Sequence, residues 1–113
     1  MTDAPIRVLV VDDQAIVRDG LITVLELLPD IAVVAAAADG EQAVALAVTE
    51  RPDVVLMDLR MPLLDGVAAT ARIAADVPSA AVLVLTTYAD DESLVAALRA
   101  GARGYLTKDA GRS

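Results

Sequence analysis

Four short apolar runs in this chain each end on residues able to do chemistry. Ile6 to Val11 leads into Asp12-Asp13, Val54 to Met57 into Asp58, Val82 to Leu85 into Thr86-Thr87, and Gly104 to Thr107 into Lys108. If the first two of these runs are neighbouring strands, three carboxylates converge, with a hydroxyl and an ammonium on the far side. Carboxylates held that close repel one another, and a hard divalent cation relieves the repulsion. Mg²⁺ suits such a place, because it takes one or two carboxylates and completes its octahedron with waters and phosphate oxygens. A carboxylate is also a covalent nucleophile toward phosphoryl groups. Mg²⁺ and Lys108 would neutralise the charge that spreads over the equatorial oxygens during such a transfer.

Taken singly, each residue has a plainer role. A lone Asp after a strand ordinarily caps the next helix, and Asp39 and Asp65 are read as caps of that kind. Thr86 alone reads as packing or capping, and a lysine ordinarily as a solvated charge. Lys108, however, is the only Lys in a chain whose other eight cations are Arg. A compact, mobile point charge suits phosphoryl contact in a way that Arg does not reproduce. The conjunction at four strand ends carries the chemical reading.

The elements that must position these residues follow from the hydrophobic pattern. Ile6–Val11 is a β-branched run of the kind found in buried parallel strands. Val17, Leu21, Val24, Leu25 and Leu28 then recur at helical spacing, up to Pro29-Asp30. Ile31 to Ala36 reads as a second strand. Asp39 opens a second helix, with Gln42 as its capping-box partner and Ala43, Val44, Ala47 and Val48 facing inward, closed by Arg51-Pro52. Val54 to Met57 is the third strand, followed by an Ala-rich helix from Asp65 to about Ala75. Val82 to Leu85 is the fourth strand. Asp90 or Asp91 opens a fourth helix with Leu94, Val95 and Leu98 inward and Gly101 at its end. Gly104 to Thr107 is the fifth strand. The βαβαβαβαβ order predicts an α/β, doubly wound domain with a five-stranded parallel sheet, whose ligands bind beyond the carboxyl ends of the strands. A final helix, which would cover the sheet beside the first, is missing from the chain, and part of one sheet face is expected to be bare without it.

Composition narrows the function. The 113 residues fit one domain, and at 57% hydrophobic the chain can bury a sizeable core, which excludes disorder. The longest apolar run, Ile31 to Ala38, is far short of the roughly 20 residues of a membrane-spanning helix, and Met1–Pro5 shows no signal-peptide pattern. The absence of Cys excludes disulfides and thiolate metal sites, and the absence of His removes the usual neutral-pH base and the commonest zinc ligand. Seventeen acidic residues against nine basic give a net charge of −8, so no direct nucleic-acid binding by this chain is expected. The expected setting is cytoplasmic, with no membrane contact.

The segments VLVVDDQ (8–14), DVVLMDLRMPLLDG (53–66), VLVLTTY (82–88) and ARGYLTKDA (102–110) resemble the receiver domains of bacterial two-component response regulators, over nearly the whole chain. That resemblance implies the flavodoxin-like strand order 2-1-3-4-5 and a role for each residue. Asp58 is implied as the phosphoacceptor, and Asp12, Asp13 and Asp58 as Mg²⁺ ligands together with the backbone carbonyl of Arg60. Thr86 is implied as the switch hydroxyl, Lys108 as the phosphoryl contact, and Tyr105 as the aromatic whose ring turns inward when Thr86 moves.

DLRMP and GYLTKDA resemble the NarL/LuxR-type subgroup, whose members carry a C-terminal helix-turn-helix. The resemblance therefore implies a receiver at 1–113 without the parent's DNA-binding domain. It also implies a sensor histidine kinase as donor, a dimer partner, and transcription regulation by the parent protein. No enzyme activity is expected beyond the domain's own phosphorylation and dephosphorylation.

Three rivals fit less well. A flavodoxin-type flavin carrier needs a glycine- and hydroxyl-rich loop where Asp12-Asp13 stands. A haloacid-dehalogenase-like phosphatase carries Asp-x-Asp after its first strand. A pseudo-receiver, a phosphorylation-independent interaction module and the principal alternative, would usually have lost an acidic residue or the Lys.

Overall fold

The computed structural model describes residues 4–59, 64–86 and 91–107, with Thr86 and Asp91 described by backbone alone. Five strands alternate with four helices: β1 (Ile6–Val11), α1 (Ala15–Glu26), β2 (Ile31–Ala37), α2 (Gly40–Glu50), β3 (Val54–Asp58), α3 (Gly66–Asp76), β4 (Ala81–Thr86), α4 (Asp91–Ala100) and β5 (Gly104–Thr107). All pairings are parallel and the sheet order is β2-β1-β3-β4-β5. This is the doubly wound sheet that the hydrophobic pattern predicts, in the flavodoxin-like order that the family resemblance implies.

Alternation along the strands divides the core into two layers. Leu9, Val11, Val55, Met57, Val82 and Val84 point to one face, where Ala43, Val44 and Ala47 of α2, Ala69 and Ile73 of α3, and Ala97 of α4 close over them. Val8, Val10, Leu56 and Leu85 point to the other, against Leu21, Ile22 and Leu25 of α1. Buried on both faces, β1 and β3 must be almost entirely apolar until the sheet ends, and they are. A register shift between Val8 and Leu9 leaves Val34 of β2 outside the pairing, which sends Val33 and Ala35 to opposite layers.

The second layer is thinner than the first. No residue of α1 is fully buried, Val54 and Leu83 are only half-buried, and Leu106 is about half exposed. The expected bare area is nevertheless smaller than the sequence suggests, since Val8, Val10, Leu56 and Leu85 are all buried.

Several inward assignments need correction. Helix α1 ends at Glu26, before Pro29-Asp30, and its inner stripe includes Ile22 in place of Val24, which is exposed, as is Leu28. Val48, Val95 and Leu98 are also exposed. In α4 the inner contact is Ala97, flanked by Leu94. Small residues let a helix approach the sheet closely, so alanine marks the inner face here and some bulky residues lie outside.

The helix ends are set by side chains and glycine. Asp39 Oδ1 accepts the Gln42 amide and Asp65 Oδ1 accepts the Ala68 amide, both at 2.8 Å, so both act as N-caps. Gln42 Oε1 accepts from Ala38, one residue short of the partner a capping box would use. Helix α4 closes through Gly101 at φ 123°. The Gly101 amide bonds Leu98 and the Ala102 amide bonds Ala97, the paired closure of a Schellman motif.

Candidate functional site

Parallel pairing brings the acidic residues together. Val11 of β1 is in register with Met57 of β3, so the residue after each, Asp12 and Asp58, stands at the same level of the sheet. Asp13 follows at once. Carboxylate oxygens of Asp12, Asp13 and Asp58 all lie within 4.8 Å of one another. Asp12 is 0% and Asp58 3% exposed, whereas Asp13 is exposed. Two buried carboxyl groups and one exposed one form a hard oxygen donor set. The condition on which the sequence reading rested, β1 beside β3, is met.

The backbone around Asp12 is tied down on three sides. Its amide donates to the Ala37 carbonyl of β2 at 3.1 Å. Its Oδ1 accepts the Gln14 amide at 2.9 Å, a turn that orients the carboxylate. Its carbonyl accepts Nη1 of Arg18, from the first turn of α1, at 2.7 Å. Asp58 is positioned by β3, where it pairs with Leu85 of β4. Gly66, the first residue of α3, donates its amide to the Leu59 carbonyl at 3.1 Å, which draws the start of α3 against the end of β3.

The remaining sequence candidates are placed as follows. The Thr86 backbone ends β4 one step beyond Leu85, and pairs with Thr107 of β5. Lys108, Arg60 and Thr87 lie outside the described residues, as does Asp90. Tyr105 of β5 is in register with Val84 and 52% exposed. Sequence reasoning missed Arg18 and Gln14. Nothing in their types announces the contacts, because an arginine on a helix ordinarily reads as a solvated charge.

A doubly wound parallel sheet with three acidic side chains gathered at the ends of two adjacent strands is a flavodoxin-like α/β domain with a strand-end acidic cluster that could hold a cation. The comparisons narrow this class. Residues 8–113 match the family model of the response regulator receiver domain, and the chain belongs to that family. It is 45% identical over 104 residues to the transcriptional regulatory protein LnrK of Bacillus subtilis, covering 92% of this chain and 47% of that protein. It is 42% identical over 105 residues to the oxygen regulatory protein NreC of Staphylococcus haemolyticus, covering 92% and 48%. The chain thus spans about half the length of the curated relatives it matches. Among solved structures, the receiver domain of the NarL response regulator of Mycobacterium tuberculosis superposes with a TM-score of 0.89 at 34% identity, over 95% of this chain and 86% of that one. A LuxR-family response regulator of Aurantimonas gives 0.87 at 39%, over 94% and 76%. The chain is therefore a signalling domain of two-component systems, related to the NarL/LuxR-type regulators.

Proposed function

We propose that residues 1–113 act as the phosphoacceptor receiver of a cytoplasmic two-component response regulator, with Asp58 as the phosphorylated residue. The observation that supports this reading is the convergence of Asp12, Asp13 and Asp58 within 4.8 Å at the ends of β1 and β3. These all-oxygen donors fit Mg²⁺, with the backbone carbonyl of Arg60 as a further ligand. When bound, Mg²⁺ would offset the charge that gathers on the phosphoryl oxygens.

Asp58 is buried to 3% exposure at the end of a rigid central strand, so its carboxylate meets a donor in one orientation. A carboxylate oxygen of Asp58 forms the new bond to phosphorus. The P–N bond of the donor's phosphohistidine breaks, and its electron pair returns to the ring nitrogen, which takes up a proton. This chain contains no His, so the donor is another molecule, here a sensor histidine kinase. Lys108 contacts the phosphoryl group, Thr86 turns its hydroxyl toward it, and Tyr105, now half exposed, follows inward. In the parent protein the signal passes to a helix-turn-helix DNA-binding domain and a dimer partner, and so to transcription.

Incubation with acetyl phosphate and Mg²⁺ should add one phosphoryl group by intact mass, with acetate as leaving group. Asp58→Asn should abolish that product. Failure of the parent to gain the mass would favour the pseudo-receiver reading, and uptake by Asp58→Asn equal to the parent would assign the acceptor elsewhere.

A further inference from the structure

We propose that Arg18 is a positioning residue for the divalent-cation site, through its grip on the peptide that joins Asp12 to Asp13. This rests on the metal reading above and extends it to a residue that touches neither cation nor phosphoryl group.

Arg18 Nη1 donates to the Asp12 carbonyl at 2.7 Å across a separation of six residues. A guanidinium donor makes a shorter and roughly twice stronger hydrogen bond than a neutral one, and Arg18 is half-buried, so solvent competes only in part. The carbonyl it holds belongs to the Asp12–Asp13 peptide unit. Rotation of that unit swings the Asp13 side chain relative to those of Asp12 and Asp58. The neighbouring ties act on other atoms: the Asp12 amide is bonded to Ala37, and the Asp12 carboxylate to the Gln14 amide. Of these three ties, only Arg18 fixes the plane of the peptide between the two acids. Asp13 is the exposed member of the cluster, and so depends most on its backbone for direction.

Arg18 also brings a positive charge close to the site, and charge alone would oppose a second cation. The two effects therefore predict opposite signs. If charge dominates, removing Arg18 tightens Mg²⁺ binding. If positioning dominates, removing it weakens binding, as loss of an outer-shell partner commonly does by about 10–100-fold. The 2.7 Å contact and the partial burial favour positioning.

The test is calorimetric titration of Mg²⁺ into the parent, Arg18→Ala and Arg18→Gln, below the onset of each thermal melt. Both variants should bind about tenfold more weakly, and the amide resonance of Asp13 in the metal-free protein should shift. Arg18→Gln carries the test if Arg18→Ala does not fold. Binding within about twofold of the parent, or tighter, overturns the proposal even if the melting temperature falls, because Arg18 is then an anchor of α1 alone. A parent with no saturable Mg²⁺ binding overturns the metal reading and this inference with it.

Discussion

Gly66 donates its amide to the Leu59 carbonyl at 3.1 Å, and this brings its α-carbon so near β3 that a β-carbon would sit 2.5 Å from the α-carbon of Leu59 and collide with the Asp58 carbonyl. The obstacle is backbone on both counts, so no rotamer change relieves it. Gly66→Ala should destabilise by about 1–3 kcal/mol, the usual cost of overpacking, seen as a lower urea midpoint. Because the displaced atoms carry Asp58, phosphorylation by acetyl phosphate should slow as well. An unchanged midpoint would show that α3 can move away from β3 without cost.

Asp13 is the exposed acid of the three and Asp12 and Asp58 the buried ones. Asp13→Ala should therefore change Mg²⁺ affinity far more than it changes metal-free stability, since its repulsion of the other two is screened by solvent. A tenfold loss of affinity at saturating Mg²⁺ removes about 1.4 kcal/mol of ligand-induced stabilisation. Thermal melts of parent and variant, with and without Mg²⁺, read both terms. The metal-free variant should melt at or slightly above the parent. An equal Mg²⁺-induced shift in the two proteins would remove Asp13 from the ligand set.

The strand ends were legible in the sequence for a physical reason. A buried parallel strand must stay apolar, so the first polar residue after it marks both the edge of the core and the ligand-binding end of the sheet. Asp12, Asp58 and the cap Asp39 follow from that rule, whereas the cap Asp65 was legible from its place before an Ala-rich helical run. Helix faces were less legible, because in a chain 57% hydrophobic apolar residues also occupy outer positions. Val24, Val48, Val95 and Leu98 are exposed, while Ala97 is the buried contact of α4. Arg18 and Gly66 were not legible at all. Their roles lie in contacts with backbone atoms, and no pattern of side-chain types encodes those.

Gly101 ends α4 at φ 123°, a region that L side chains rarely adopt, and a β-carbon there would stand 2.7 Å from that of Ala74 in α3. Gly101→Ala should cost about 1–2 kcal/mol from the backbone conformation alone, with the clash against α3 added. Chemical denaturation measures it. A loss near zero would mean that the Schellman closure rearranges freely and does not set the spacing of α3 and α4.

Thr70 should behave in the opposite way. It lies in α3 with 0% exposure, and its Oγ1 has no hydrogen-bond partner among the described residues. A buried hydroxyl stripped of water and left unbonded costs about 1–3 kcal/mol. Valine has nearly the same shape, with a methyl in place of the hydroxyl, and burying that methyl is favourable. Thr70→Val should thus raise stability by about 1 kcal/mol or more, a shift of several degrees in melting temperature for a domain of this size. Phosphoryl uptake by Asp58 should stay at the parental level, since Thr70 belongs to no part of the strand-end site. Denaturant midpoints of the two proteins decide the matter. A destabilised Thr70→Val would mean that the hydroxyl finds a partner in solution, and that α3 owes part of its seat on the sheet to it.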